Sequence, residues 1–250
     1  MPEQETTYIE GRNAIIEVLK ADMPIERILM ARDLKKDDSI NFITKLATER
    51  AIPLDEVTRP ELDKLSEHGA HQGVIARSST HPFTTLDEVI EKVADQSDAL
   101  IIVLDHISDP GNLGAIVRSA EVVGAAAVVI PERRSVGVTP AAWKAAAGAL
   151  AYLPLVQVTN IAQTIKRLQD ENFWVAGASE YAEQVAWDAP LSGRLALVLG
   201  SEGQGLSRLT RERCDFLVKL PQVGKIGSLN VAQACTVLAY EWFRQSQSTS

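Results

Sequence analysis

The chain has 250 residues, with 33 Asp and Glu against 25 Lys and Arg, and a formal net charge of −8. That balance argues against a generic polyanion binder, so any nucleic-acid contact has to come from local basic patches. Two cysteines without metal-ligand spacing give no disulfide framework, and no apolar run reaches the roughly 18 residues of a membrane span. The opening MPEQETTYIE lacks the basic and apolar regions of a signal peptide, so the sequence reads as a cytoplasmic protein with no membrane partner.

Residues 1–78 read as a small α/β unit. Helical apolar spacing marks 13–20 (NAIIEVLK), 40–50 and 60–66, and strand patterning marks 25–30 and 73–77. This unit carries 11 Lys and Arg against 15 Asp and Glu, so it is not basic as a whole. The polar 78–82 (SSTHP) interrupts the pattern, and 79–97 is expected to hold a linker and a connecting helix capped by Thr85.

From residue 98 to 250 the chain alternates strand and helix. Apolar runs at 100–104, 127–130, 155–158, 173–176 and 195–199 alternate with helical segments at 113–123, 141–150 and 161–168. Gly124 stands at the end of the first helix, and Thr139-Pro140 is a strong start for the second. Continuous apolar strands imply a mostly parallel sheet covered on both faces, hence an α/β fold.

Three loops are candidates for chemistry. In HISDPGNLGAIVR (106–118), Asn112 reads as the cap of a helix carrying Gly114 and Arg118. Glycine inside a helix costs about 1 kcal/mol against alanine, so close packing or a ligand must justify Gly114. Arg118 taken alone reads as an arginine paired to a carboxylate at the helix edge. The strand at 195–199 empties into Gly200-Ser201-Glu202-Gly203-Gln204-Gly205, which fails both as a phosphate loop and as a dinucleotide fingerprint. The strand at 216–220 stops at Pro221, and Ser228 is expected to cap the helix at 229–240, which with Trp242 and Phe243 offers a dimer face. Two strand ends with flexible glycine loops are the usual address of a ligand in an open α/β sheet. The histidines at 68, 71, 81 and 106 form neither a metal site nor a catalytic triad by spacing.

Together, Asn112-x-Gly114-x-x-x-Arg118, then Gly200-Ser201-Glu202-Gly203-x-Gly205-Leu206, then Pro221 followed by Ser228-Leu229-Asn230-Val231-Ala232 resemble the three motifs of the SpoU (TrmH-like) branch of the SPOUT RNA methyltransferases, over about 98–247. Tyr8-Ile9-Glu10-Gly11-Arg12-Asn13-Ala14 and His71-Gln72-Gly73-Val74 resemble the substrate-binding extension of bacterial 23S rRNA (guanosine-2′-O-)-methyltransferases. The resemblance implies S-adenosylmethionine as methyl donor, a ribose 2′-hydroxyl of RNA as acceptor, a homodimer, no metal, and a C-terminal trefoil knot that periodicity alone would never suggest. It implies Arg118, Asn112, Glu202, Ser228 and Asn230 as catalytic residues, and Gly200, Leu220, Ile226 and Leu229 around the cofactor. RNA phosphates would meet Arg133, Arg134, Arg208, Arg211, Arg213, Lys219 and Lys225. A separate folded N-terminal unit favours 23S rRNA over tRNA. A catalytically dead RNA-binding assembly protein is disfavoured, because Arg118, Glu202 and Asn230 are all intact.

Overall fold

The computed structural model describes residues 7–247 except 21–22, 36, 67–68, 70, 79–82, 134–136 and 226; Arg134 and Ile226 therefore lie outside the described residues. The N-terminal unit runs β1 (Thr7–Glu10), α1 (Arg12–Lys20), β2 (Ile25–Ala31), α2 (Asp38–Glu49), β3 (Leu54–Val57), α3 (Arg59–Leu65) and β4 (Val74–Ser78). Its four-stranded sheet has the order β1-β4-β2-β3, antiparallel except for the β2–β3 pair.

The larger unit contains α4 (Leu86–Lys92), β5 (Ala99–Asp105), α5 (Pro110–Val122), β6 (Ala127–Pro131), α6 (Pro140–Ala146), β7 (Leu155–Val158), α7 (Ile161–Asp170) and β8 (Trp174–Ala178). It continues with β9 (Gln184–Val185), β10 (Arg194–Gly200), α8 (Arg208–Arg213), β11 (Phe216–Lys219) and α9 (Val231–Gln247). The seven strands lie in the order β7-β6-β5-β10-β8-β11-β9, and every described pairing is parallel. Burial explains the unbroken apolar runs. On β5, Leu100, Ile102 and Leu104 join the core under α5, α6 and α9, while Ile101 and Val103 join the core under α4 and α7. Both faces are covered, as a parallel sheet requires.

Helix packing explains two local features near the site. A Cβ on Gly114 would lie 2.3 Å from the Ala142 carbonyl oxygen and 2.7 Å from the Ala145 Cβ, so close packing of α5 on α6 justifies the helical glycine. Helix α6 ends earlier than the sequence predicts, because Ala147 (φ 49°) and Gly148 (φ 102°) turn left-handed before a 3₁₀ turn at Ala149–Ala151. That turn receives the N-terminal unit: a Cβ on Gly148 would lie 2.6 Å from Glu17 Cγ, and the Tyr152 hydroxyl donates to Glu17 Oε2 at 2.5 Å. Ile9, Ile15 and Val18 share one buried cluster with Trp143, Ala146 and Leu150.

Candidate active site

Strand order places the two candidate loops side by side. Strands β5 and β10 pair in the register Asp105↔Gly200, yet β5 connects onward through α5 to β6 on one side, while β10 lies against β8 on the other. Such a reversal opens a crevice at the carboxyl ends of the strands. Gly200 is required there by contact, since a Cβ would lie 2.1 Å from the Gly205 carbonyl carbon. Ser201 and Gly205 exchange two backbone hydrogen bonds, at 3.2 and 2.9 Å, and Gly203 (φ 87°) and Gly205 (φ 66°) adopt the left-handed turns that glycine permits. The result is a tight loop with Glu202 near its tip.

The cap of α5 is Asp109, not Asn112: its Oδ1 accepts from Asn112 N at 2.7 Å, and Pro110 takes the first helical position. The displaced side chain is the functional one. Asn112 Nδ2 donates to Glu202 Oε1 at 3.0 Å, and Asn112 Oδ1 accepts from Asn230 Nδ2 at 2.8 Å. Asn230 Nδ2 also donates to Glu202 Oε1 at 2.6 Å. The three motifs thus close into one triangle of side chains.

Asn230 holds its place by capping α9. Its Oδ1 accepts from Ala232 N at 2.9 Å and from Gln233 N at 3.4 Å, so Ser228 is not the cap and stays exposed ahead of the helix. The reason is where the buried face begins: Val231, Ala232, Cys235, Leu238 and Trp242 form it, and the cap must immediately precede Val231. Trp242 faces inward, donating its indole N–H to Gly193 O at 3.0 Å, which removes it from the outer face expected from the sequence.

Beside the triangle lies a cleft of about 470 Å³ at the ends of β8, β10 and β11. Gly200, Glu202, Leu220, Ser228, Leu229 and Asn230 line it, so the structure gathers these predicted residues around one space. Asn112 reaches its edge through the bonds to Glu202 and Asn230. Arg118 does not line the cleft. It stands exposed on α5, while its neighbour Ser119 faces α9 and hydrogen-bonds Thr236 at 2.7 Å. Among the described residues no carboxylate pairs with Arg118, so the paired-arginine reading is corrected.

The charges around the cleft are unevenly tied. Arg208 pairs with Glu212 at 2.8 Å, whereas Arg211 and Lys219 line the cleft without an ion pair among the described residues. Unpaired cations at a cleft are available to phosphate or carboxylate. Neither cysteine is a nucleophile: burial, with the Asp215 and Asp105 carboxylates, pushes the Cys214 thiol up to about 12, and burial pushes Cys235 up to about 12. Among the described residues no group of three or more His, Cys, Asp or Glu is arranged to hold a metal ion.

Comparison with known proteins places this geometry. Residues 99–240 match the SpoU rRNA Methylase family, and residues 8–83 match the module described as RNA 2'-O ribose methyltransferase substrate binding. The chain belongs to the SpoU family. YacO of Bacillus subtilis (strain 168), named for the TrmH family of tRNA/rRNA methyltransferases, is 38% identical over 97% of this chain and 97% of its own length. The crystal structure of an RNA 2'-O ribose methyltransferase is 28% identical, with a TM-score of 0.81 over 97% of this chain and 89% of that one. The SpoU methyltransferase AviRb from Streptomyces viridochromogenes, crystallised with AdoMet, shares the fold at 24% identity with a TM-score of 0.81, over 98% of this chain and 92% of that one.

The SpoU assignment fixes an RNA methyltransferase of the TrmH-like group. YacO carries that broader tRNA/rRNA name, which does not single out a 23S rRNA guanosine. Sequence reading missed two features of this region. Ala178, Ser179, Glu180 and Tyr181, at the end of β8, also line the cleft, and the apolar run ending at residue 176 was their signal. Asp105, buried at the end of β5, was hidden because it reads as the first polar residue after a strand.

Proposed function

We propose that the chain transfers a methyl group from S-adenosylmethionine to a ribose 2′-hydroxyl of RNA, on a guanosine of 23S rRNA, acting in the cytoplasm as a homodimer. The observation that carries this reading is the triangle of Asn112, Glu202 and Asn230 at the edge of a cleft built from strand ends. The cleft suits the methyl donor: Leu199 to Gly205 and Val218 to Leu220 offer backbone, Leu206, Leu220, Leu229 and Leu238 offer apolar wall, and Glu180 and Glu202 complement a positive sulfonium. Gly200, Leu220 and Leu229 would hold the cofactor, with Ile226 in the same segment. When bound, the cofactor supplies an electrophilic methyl carbon; the chain's part is to align the acceptor oxygen and stabilise its developing charge.

Arg118, exposed on α5 and not lining the cleft, would serve as a cation for the developing alkoxide and the adjacent phosphate rather than as a base. The proton leaves to that phosphate or to water. Glu202 fixes the two amides, and Asn112, Asn230 and Ser228 orient the ribose. Residues 1–78 act as the RNA-binding unit and 98–250 as the methyltransferase domain, joined through 79–97, with α9 completing the trefoil knot. Arg211 and Lys219 line the cleft without an ion pair among the described residues, and would meet RNA phosphates there. Partly exposed Trp187, Tyr240 and Phe243 line a shallow apolar depression along α9 suited to a second copy, and a monomeric mass in solution scattering would remove that part.

The test is to incubate the purified protein with labelled S-adenosylmethionine and protein-free 23S rRNA or tRNA, then map 2′-O-methyl groups. Label on one 23S guanosine is expected. Label on tRNA alone replaces the substrate, and label on neither removes the reading.

A further inference from the structure

A carboxylate that this reaction scheme does not use lies buried at the end of β5, against both ends of the glycine loop. The side chain of Asp105 is only 1% exposed, and burying a charge is costly unless it is fully paired. Its partners are both local to the glycine loop and the β5 exit. Ser207 N donates to Oδ2 at 2.8 Å, and His106 Nδ1 lies 2.5 Å from Oδ1. His106 reaches back by adopting a left-handed backbone, φ 64°, which an L side chain adopts at a cost.

We propose that Asp105 is a positioning residue for methyl transfer: it fastens the return end of the glycine loop to β5 and so sets where Glu202 meets Asn112 and Asn230. The loop leaves the sheet at Gly200, which the ladder pairs with Asp105 itself. It returns at Ser207, which the Asp105 side chain holds. One residue of β5 therefore anchors both ends, and the paired backbone bonds between Ser201 and Gly205 stiffen the turn between them. Glu202 sits within this fastened turn, and β5 leads to the helix that carries Asn112. Shifting the return end displaces the Glu202 carboxylate from both amides at once. The inference rests on the methyltransferase reading above.

Methyl transfer to protein-free 23S rRNA, S-adenosylmethionine binding by calorimetry, and thermal melting are measured for each variant. Asp105→Ala is expected to lower kcat about 100-fold, the scale of a misplaced catalytic group, while the cofactor Kd stays at the wild-type value. Asp105→Asn keeps an oxygen for Ser207 N and is expected to recover most of kcat. The double variant Asp105→Ala/Glu202→Ala is expected to be no slower than Glu202→Ala alone, because both act through one network. A merely structural role predicts a lower melting temperature with losses that add. Should Asp105→Ala fail to fold, Ser207→Pro removes the N–H from the loop side at φ −59°, a value proline accepts, and is expected to show the same loss of kcat. Wild-type kcat in Asp105→Ala or Ser207→Pro overturns the proposal, as do additive losses or an Asp105→Asn variant as slow as alanine. A wild type inactive on both 23S rRNA and tRNA would instead remove the methyltransferase reading itself.

Discussion

Two polar clusters in this molecule are built from similar residues and finished differently. In the N-terminal unit, Ser66 Oγ donates to the buried Glu10 at 2.5 Å. Gly73 N donates to His71 Nδ1 at 2.9 Å, which places the ring proton on Nε2, facing Asp63 at 3.0 Å. Glu10 and His71 are 5% and 4% exposed; Glu10 ties β1 to Ser66 at the end of α3, and His71 ties Asp63 of α3 to the turn before β4. At the ends of β5 and β10, by contrast, Glu202 and Asn230 are exposed, and both bonds to Glu202 fall on Oε1 while Oε2 takes none from a described residue. A polar cluster closed on itself fixes shape; one left open beside a cleft has capacity reserved for a ligand.

The comparison is sharpened by substitutions that separate shape from chemistry. The largest effect is expected from Arg118→Ala, with kcat falling about 10²–10³-fold, the scale for losing one charge-stabilising donor, and with cofactor Kd unchanged; full activity would refute its role. Glu202→Ala should lower kcat about 100-fold by releasing both amides, with little change in melting temperature because the group is exposed. His71→Ala should do the reverse. Leaving Gly73 N and Asp63 without a partner costs about 2–3 kcal/mol in a denaturant titration while the cofactor Kd holds. A stable His71→Ala would break the distinction between the clusters. Gly114→Ala tests packing against propensity: helix propensity favours alanine by about 1 kcal/mol, but overpacking against Ala142 costs about 1–3 kcal/mol, so a net loss in the urea midpoint is expected.

The smallest effect is expected at the seam between the units. The Tyr152 hydroxyl holds the Glu17 carboxyl below the usual carboxylate range, and that bond, with burial and the Glu17 charge, pushes Tyr152 up to about 12. A carboxylate with a depressed pKa contributes stability above its unfolded value and loses it as pH falls through the folded one. Tyr152→Phe should therefore cost about 0.5–1 kcal/mol near neutrality and flatten the acid limb of stability against pH. An unchanged acid limb would show that this contact does not hold the seam.

The strands of the larger sheet were legible because a parallel sheet covered on both faces leaves continuous apolar runs. The glycine loop was legible because Gly200, Gly203 and Gly205 each answer a backbone demand. Strand β3 (LDEV) escaped notice because half-exposed polar residues break its pattern, and α8 (RLTRER) because a short charged helix has hardly any apolar face. Both helix caps at the site were misplaced by two or three residues. Several capping residues stand together there, and the choice between Asp109 and Asn112, or Ser228 and Asn230, is made by where the buried face starts. Those misplacements mattered, since they decide that Asn112 spends its amide on Glu202 and that Asn230 serves helix and site together. Strand order, which brings residues 112, 202 and 230 to one point, leaves no local trace in the sequence.

The central claim is that the cleft at the ends of β8, β10 and β11 holds the methyl donor beside the Asn112–Glu202–Asn230 triangle. A crystal of this protein soaked with S-adenosylmethionine tests it most directly. The account predicts density against Gly200, Leu220 and Leu229, with the transferable methyl directed toward Asn230 and Glu202. Density elsewhere, or a methyl group turned away from those side chains, would contradict it.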